Sequence, residues 1–187
     1  AVPLDRFRPG PPKEDFVLAL GRICPEKGFD LALDAAKKAG LPLILGGRVP
    51  PFHEHQVYFD REIAPRLDSE RRFLGPIPLA ERADLLARAR CLVVPSLWSE
   101  TGPLVALEAL ASGTPVVARP VGAMPENLEQ GKTALFVEDV DDMARAMLEV
   151  KRLDPRECRR AAEERFSAEL MVERYITLYE RLGARAR

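Results

Sequence analysis

Histidine and cysteine are scarce in this chain of 187 residues, which has two of the first and three of the second. Cys24, Cys91 and Cys158 lie far apart and form no C-x-x-C pair, so neither a zinc site nor a disulfide framework is indicated. Such cysteines are typical of a reducing compartment, and we expect a cytoplasmic protein. With 28 basic and 29 acidic residues, the chain lacks the basic excess of a nucleic-acid-binding protein.

Long apolar runs are also missing from the chain. No segment approaches the roughly 18 residues that a membrane-spanning helix needs, and no signal peptide opens the sequence, so we expect no stable insertion into a membrane. Arginines interspersed with glutamates between positions 156 and 165 indicate a solvated helix face. Weak peripheral association with the inner face of the membrane stays open.

Asparagine is nearly absent, with Asn127 alone, whereas proline reaches 17 and arginine far exceeds lysine. Few thermolabile amides and many prolines fit a thermophile, and a GC-rich genome explains the same bias equally well. Hydrophobic residues make up 47% of the chain and charged residues 30%, which is the balance of an ordinary globular domain.

Short apolar runs alternate with helical patterns along the chain. Strands are predicted at 16–20, 41–45, 71–74, 91–94, 115–118 and 134–137, and helices at 28–39, 53–67, 79–90, 102–112, 141–152, 155–165 and 168–182. This alternation predicts an α/β fold, a Rossmann-like doubly wound parallel sheet with helices on both faces and a helical C-terminal tail. The proline-rich residues 1–15 are interpreted as the remnant of an interdomain linker, and residues 16–187 as one domain.

Ligands bind such sheets at the carboxyl ends of the strands, so candidate site residues are sought in the loops that follow them. The loop after the first strand carries two cations, Arg22 and Lys27, at the start of a helix. A guanidinium fork, an ammonium group and the free N–H groups of a helix N-terminus suit a diphosphate. Two solvated surface cations would give the same pattern, so this signal alone is weak.

Two carboxylates follow the fourth strand. Glu100 falls on the loop, and Glu108 lies about two turns into the next helix, where it interrupts an apolar face. Gly102 is the expected N-cap of that helix and Pro103 its first residue. A carboxylate on an apolar face is costly without a partner, and sugar or ribose hydroxyls would serve as one. The alternative for Glu108 is a capping role or an ion pair near the helix start.

Cations for a diphosphate and carboxylates for hydroxyls, at one sheet edge, describe a nucleotide-sugar site. Glu100 and Glu108 resemble the E-x7-E motif of family 4 (group 1) retaining glycosyltransferases, which have the two-lobed GT-B fold. Arg22 and Lys27 are similar to that family's diphosphate-binding pair, and the segments 73–77, 111–118 and 121–126 resemble further family segments. The resemblance covers nearly the whole chain, and it is the combination of motifs that makes it specific.

The resemblance implies a role for each matching residue. Arg22 and Lys27 would neutralise the departing diphosphate and, with Glu100 close to the donor sugar, would form the catalytic group. Glu108 would accept hydrogen bonds from the ribose hydroxyls, and the backbone of 75–77 would edge the base. The implied donor site consists of Gly21, Arg22, Lys27, Gly75, Pro76, Ile77, Glu100, Thr101, Gly102, Pro103, Leu104 and Glu108.

The same resemblance implies a hexosyltransferase that retains the anomeric configuration and uses no metal and no cofactor. Its donor would be a UDP-sugar or a GDP-sugar. Many family members carry an aromatic-Gly pair where this chain has Gly102-Pro103, and Pro103 has no N–H to offer the sugar. We therefore expect one contact to the donor sugar to differ, which leaves the identity of that sugar open.

Nothing in the sequence resembles the N-terminal acceptor lobe of this family. The chain is therefore expected to be the donor-binding half of an enzyme, with the missing lobe as its partner and no transfer activity by itself. The final helix, 168–182, would return toward that lobe.

Three further motifs have ordinary structural explanations. Asp139-Val140-Asp141 spells the D-x-D of metal-dependent glycosyltransferases, but capping of the following helix is favoured. His53 and His55 do not share a helix face and are expected at the surface, with an accessory ligand contact as the minor alternative. Trp98 is expected either to wall the site or to pack in the core.

Other functions on the same kind of sheet remain as alternatives. A sugar phosphorylase would need a pyridoxal-phosphate lysine, for which there is no strong candidate. A nucleotide-sugar epimerase would need acid–base groups near the sugar, whereas histidine is scarce. A non-catalytic nucleotide-binding domain stays open, but a phospho-acceptor signalling domain needs clustered aspartates where this chain has Gly21-Arg22.

Overall fold

The computed structural model describes residues 1–185 and contains one sheet of six strands. These are β1 (Val17–Leu20), β2 (Leu43–Gly46), β3 (Arg71–Gly75), β4 (Cys91–Val94), β5 (Val116–Ala118) and β6 (Ala134–Phe136). They pair in parallel in the order β3-β2-β1-β4-β5-β6. The predicted α/β, Rossmann-like doubly wound fold is therefore confirmed. The last two residues of the predicted domain 16–187 lie outside the described part.

Eight α-helices accompany the strands. They are α1 (Phe29–Ala39), α2 (His53–Tyr58), α3 (Leu79–Arg88), α4 (Leu104–Ala111), α5 (Met124–Asn127), α6 (Val140–Glu149), α7 (Pro155–Arg165) and α8 (Ala168–Arg185) within the described residues. The prediction of one helix over 53–67 is wrong. The chain continues from α2 as a π-helical turn, Phe59–Ile63, and a 3-10 turn, Ala64–Arg66. Pro65 has no N–H to donate, so a regular α-helix does not continue through it.

The four central strands β1, β2, β4 and β5 are buried on both faces, whereas the edge strands β3 and β6 are partly exposed. Along β1, Val17 and Ala19 pack with α1 and α6, whereas Leu18 and Leu20 pack on the opposite face with α3, α4 and α7. Successive side chains of a strand point to opposite faces, so a strand covered on both sides has no polar position. This burial explains why the four central strands are short continuous apolar runs, whereas the edge strand β3 begins with two arginines.

The N-terminal segment 1–15 lies against the same core. Val2 and Phe7 are each 1% exposed and pack with residues of α4 and α7. Val2 also forms an isolated parallel bridge with Ser167. The interpretation of this segment as an interdomain linker stays a prediction.

Helix α8 carries its apolar stripe on an exposed surface. Met171, Tyr175, Leu178 and Leu182 are between 41% and 52% exposed. Within residues 1–185, no helix combines the length and the apolar character that crossing a membrane requires.

The order of the strands fixes where a ligand can bind. Chain connections run outward from β1 on one side to β2 and β3, and from β4 on the other side to β5 and β6. At such a switch point the loops after two adjacent strands diverge to opposite faces and leave a crevice at the carboxyl ends. That crevice lies here between the loops after β1 and β4.

Candidate functional site

A cavity of about 340 Å³ opens at the crevice between β1 and β4, and we call it the switch-point cavity. Seven of the predicted donor-site residues line it, and they come from two separate loops. These are Gly21, Arg22, Lys27, Glu100, Gly102, Pro103 and Leu104. The structure therefore brings the predicted cations and the first glutamate together at one place.

Glu100 and Lys27 form an ion pair across the switch-point cavity. Ser96 Oγ donates a second hydrogen bond, 2.6 Å long, to the same carboxylate oxygen, Oε1. Burial opposes ionisation of Glu100, but the hydrogen bonds from Lys27 and Ser96 outweigh it and lower its pKa. Glu100 is therefore a carboxylate at neutral pH, and its charge is balanced by Lys27.

Arg22 is the second cation of this cavity, and it is exposed. Among the described residues its guanidinium takes part in no ion pair and in no hydrogen bond. Lys27 is held by a carboxylate, whereas Arg22 keeps its five donors available. Arg22 thus offers a guanidinium without a direct partner among these residues to a ligand in the cavity.

Two glycines hold the loops of the site close together. Gly28, at φ 62°, lets the loop after β1 approach the carbonyl oxygen of Pro95, since a Cβ there would lie 2.7 Å from it. Gly122, at φ 57°, packs against the backbone of Glu100, where a Cβ would overlap with the carbonyl oxygen. The N–H of Ala123 donates a 2.7 Å hydrogen bond to that same oxygen. These contacts position Lys27 and Glu100 through the backbone, which the sequence analysis did not predict for Gly122.

Glu108 lies on α4 and does not line the switch-point cavity. Arg82 of α3 donates a 2.9 Å hydrogen bond from Nη2 to Glu108 Oε1, which is the ion-pair alternative raised above. The other oxygen, Oε2, is buried without a hydrogen-bond partner among the described residues. Burial raises the pKa of Glu108, and the charge of Arg82 only partly opposes this. The ribose-binding role of Glu108 stays a prediction, since Oε2 is closed off and the side chain does not line the cavity.

The predicted base-binding segment follows the edge strand β3. Gly75 has φ 70°, and its carbonyl oxygen accepts a 2.8 Å hydrogen bond from the N–H of Gly47. Ile77 packs over Gly46 together with Leu20, and Leu20 lines the switch-point cavity. Gly75, Pro76 and Ile77 themselves lie outside the cavity lining. Their contact with a base stays a prediction.

Helix α4 begins one residue later than predicted. Its first residue is Leu104 and its N-cap is Pro103, whose ψ of 66° lies outside the helical region. The prediction of Gly102 as N-cap and Pro103 as first helical residue is therefore wrong. The N–H of Leu104 donates to the carbonyl oxygen of Gly102 at 2.9 Å, so a tight turn precedes the helix.

A second cavity of about 310 Å³ adjoins the first, and we call it the His55 cleft. Its lining includes His55, Trp98 and the predicted donor residue Thr101. The prediction of a surface position is wrong for His55, which is 7% exposed. Trp98 is 72% exposed, so it lines the cleft and does not pack in the core. The apolar residues just before it, Pro51 and Phe52, are themselves exposed, so they gave no signal that His55 would be buried.

The D-x-D sequence has a structural role in this chain. Asp139 caps α6 by accepting a 2.8 Å hydrogen bond from the N–H of Asp142, and Asp141 pairs with Lys38. In the part of the chain that the structure describes, no three His, Cys, Asp or Glu side chains group as metal ligands would.

A doubly wound parallel sheet with a cationic crevice at its switch point, followed by C-terminal helices, is the architecture of one lobe of a GT-B enzyme. A family model for glycosyl transferases group 1 matches residues 14–152. The chain belongs to this family.

Known proteins of related sequence carry glycosyltransferase names. D-inositol 3-phosphate glycosyltransferase of Mycobacterium avium is 37% identical over 162 residues, a match that covers 78% of this chain and 38% of that protein. AviGT4, a glycosyltransferase involved in avilamycin A biosynthesis, has 33% identity and a TM-score of 0.83, over 98% of this chain and 57% of its own. The match thus spans less than half the length of the D-inositol 3-phosphate glycosyltransferase.

The fold also occurs at lower identity. Anabaena HepE, crystallised with UDP and glucose, is 18% identical with a TM-score of 0.83, and the match covers 96% of this chain and 55% of HepE. At this identity the likeness shows the fold alone. The names of the closer relatives favour a glycosyltransferase over the epimerase, phosphorylase and non-catalytic alternatives.

Proposed function

We propose that this chain is the donor-binding half of a retaining, metal-independent glycosyltransferase that transfers a hexose-type sugar from a nucleoside diphosphate. One observation carries the proposal. Arg22, without an ion-pair partner among the described residues, lines the same switch-point cavity as Lys27 and the start of α4. A free guanidinium, an ammonium and a helix N-terminus are the groups that bind a diphosphate.

In the proposed reaction the bond between the anomeric carbon and the diphosphate oxygen breaks. The oxygen of an acceptor hydroxyl forms the new glycosidic bond on the same face, and its proton passes to the departing diphosphate. Arg22 and Lys27 stabilise the negative charge that develops on the diphosphate as the bond breaks. Lys27 is paired with Glu100 in the free chain, so a bound diphosphate must share this cation with the carboxylate.

The remaining donor contacts are proposed from the resemblance and from the positions of the residues. Glu100 and Thr101 lie beside the donor sugar, and Glu108 accepts hydrogen bonds from the ribose hydroxyls, for which its buried, unpartnered Oε2 must become accessible. The base lies at Gly75–Ile77, at the β3 edge of the site. Pro103 precedes α4 without an N–H, so the backbone contacts to the sugar begin at Leu104.

Calorimetric titration of the purified chain with UDP, GDP and ADP tests the proposal. We expect at least one of them to bind, and Arg22→Ala and Lys27→Ala each to weaken binding by about 1–3 kcal/mol, the value of a hydrogen bond to a charged group. Arg61→Ala and Lys37→Ala are matched controls, because both residues lie away from the cavity and should leave the affinity unchanged. A folded chain that binds none of the three nucleotides would disprove the proposal.

A further inference from the structure

The His55 cleft lies directly beside the switch-point cavity. Arg22, Lys27 and Glu100 line both cavities, so the Lys27–Glu100 ion pair forms part of the wall between them. A group held in the cleft would therefore lie next to the position proposed for the donor sugar. None of the roles assigned above uses the cleft's own residues, His55 and Trp98.

His55 has a buried polar atom that the fold does not satisfy. Its side chain is 9% exposed, and Nδ1 has no hydrogen-bond partner among the described residues. The other ring nitrogen, Nε2, is 3.8 Å from Glu54 Oε1, which is beyond hydrogen-bond distance. The ring is held by Phe52, with centroids 5.5 Å apart and planes at 87°. Nδ1 is closed off from the cleft, so Nε2, which makes no hydrogen bond to the described residues and is not closed off, is the ring nitrogen that a ligand in the cleft can reach.

Trp98 gives the cleft an exposed aromatic surface. It is 72% exposed on the loop after β4, and its indole N–H donates to no group among the described residues. The flat ring matches the apolar C–H face of a sugar or cyclitol ring, and the N–H is available to a hydroxyl. Binding by such a ring leaves the hydroxyls of the ligand free for polar neighbours.

Charges of both signs surround these two residues. The cleft lining includes the cations Arg22 and Lys27 and the carboxylates Glu26 and Glu100. Carboxylates accept hydrogen bonds from hydroxyl groups but repel a second phosphate. The mixture therefore favours a neutral group with many hydroxyls over an anion.

We propose that the His55 cleft is an acceptor subsite for a polyhydroxylated ring, a saccharide or cyclitol that stacks on Trp98 and hydrogen-bonds to His55. The proposal rests on the function proposed above, because only a neighbouring donor makes the bound ring an acceptor. The ring's attacking hydroxyl reaches the donor sugar past the Lys27–Glu100 pair.

Trp98 is the only tryptophan of the chain, so intrinsic fluorescence reports on the cleft directly. The chain, saturated with the nucleotide that calorimetry selects, is titrated with myo-inositol, D-glucose and D-mannose. We expect a saturable change in emission with at least one of them. His55→Phe should weaken that binding about tenfold, the value of one hydrogen bond. His53→Gln, an exposed histidine two residues away, should leave it unchanged.

Saturation-transfer NMR supplies a measurement that does not need the fluorophore. The Trp98→Leu variant should fold normally, because Trp98 is 72% exposed. We expect this variant to lose the signal of the bound polyol. Tyr179→Leu on α8, where the ring is 65% exposed, is the matched control and should keep it.

Four results would overturn the proposal. Nucleotide binding without any response to the three polyols would remove the subsite and leave the proposed function intact. Full affinity in both His55→Phe and Trp98→Leu would place the polyol elsewhere. Competition between the polyol and UDP-glucose, but not UDP, would assign the cleft to the donor sugar. Polyol binding in a chain that binds no nucleotide would end the acceptor assignment along with the proposed function.

Discussion

The two glutamates of the site, eight residues apart, lie in opposite environments. Glu100 is on a loop and accepts hydrogen bonds from Lys27 and Ser96, whereas Glu108 is on a helix and accepts one, from Arg82. The pKa of Glu100 is lowered because these bonds outweigh burial, and the pKa of Glu108 is raised because burial outweighs Arg82. The fold therefore stabilises the ionised form of Glu100 and destabilises the ionised form of Glu108.

This difference shows how one spacing can give two kinds of carboxylate. Glu100 faces the switch-point cavity with both neighbours already in place, so a ligand must compete for Lys27. Glu108 keeps one buried oxygen without a partner, so a ligand that donates a hydrogen bond would repay part of its burial. The environment of Glu100 suits a carboxylate that lies beside the charge developing on a departing diphosphate. The environment of Glu108 suits a carboxylate that accepts hydrogen bonds from hydroxyl groups.

The largest expected effect comes from removing the partner of the poorly satisfied glutamate. Arg82→Met should lower the free energy of unfolding by roughly 3 kcal/mol at neutral pH, because it leaves a buried charge uncompensated. Lys27→Met is the comparison variant and should cost less, since Glu100 keeps its hydrogen bond from Ser96. Urea unfolding of the two variants and the parent chain measures the difference.

The pH dependence of the same experiment has a definite sign. The folded-state pKa of Glu108 is raised, so its neutral form is the one that the fold favours, and stability is lost as the pH rises through that pKa. The deficit of Arg82→Met should therefore shrink as the pH falls, and adding Glu108→Gln should restore most of it. A deficit that is constant with pH and unaffected by Glu108→Gln would contradict the comparison.

The next effect concerns nucleotide binding, where the two glutamates should act in opposite directions. Glu108→Gln should weaken UDP binding by about 1–2 kcal/mol, because a charged acceptor for the ribose hydroxyls becomes a neutral one. Glu100→Gln should tighten it, since a negative charge beside the diphosphate is removed and Lys27 is released. Calorimetry on both variants checks this, and a change of the same sign in both would refute the distinction.

The sequence predicted the strands and the meeting of Arg22, Lys27 and Glu100, and particular physical reasons explain this. Strands buried on both faces are continuous apolar runs, and the carboxyl ends of β1 and β4 are adjacent in any sheet of this order. Local signals were therefore enough for the fold and for the part of the site at strand ends.

The partners of the site residues could not be predicted in the same way. Arg82 reaches Glu108 from a neighbouring helix, and His55 reaches the site from β2's side of the sheet. Gly122 contacts the backbone of Glu100 from the loop after β5. Such contacts depend on how helices and loops pack in three dimensions, and no spacing along the chain encodes them.

The smallest expected effect tests whether Ser96 is what separates the two glutamates. Ser96 is 1% exposed and donates a 2.6 Å hydrogen bond to Glu100 Oε1. Ser96→Ala should lower the free energy of unfolding by about 1 kcal/mol at neutral pH and raise the pKa of Glu100 toward its usual range. Ser99→Ala, at an exposed position of the same loop, is the control and should change neither.

The deficit of Ser96→Ala should fade in acid, as that of Arg82→Met does, but it follows from a pKa shift of the opposite direction. The folded-state pKa of Glu100 is lowered, so its stabilising contribution is present above the unfolded-state pKa and is lost as the pH falls through the folded-state pKa. Ser96→Ala removes part of that contribution, so its deficit should be present at neutral pH and fade in acid. Carboxyl titration by NMR would follow Glu100 directly. An unchanged pKa in Ser96→Ala would mean that Lys27 alone keeps Glu100 ionised, and that the two glutamates differ only in their cations.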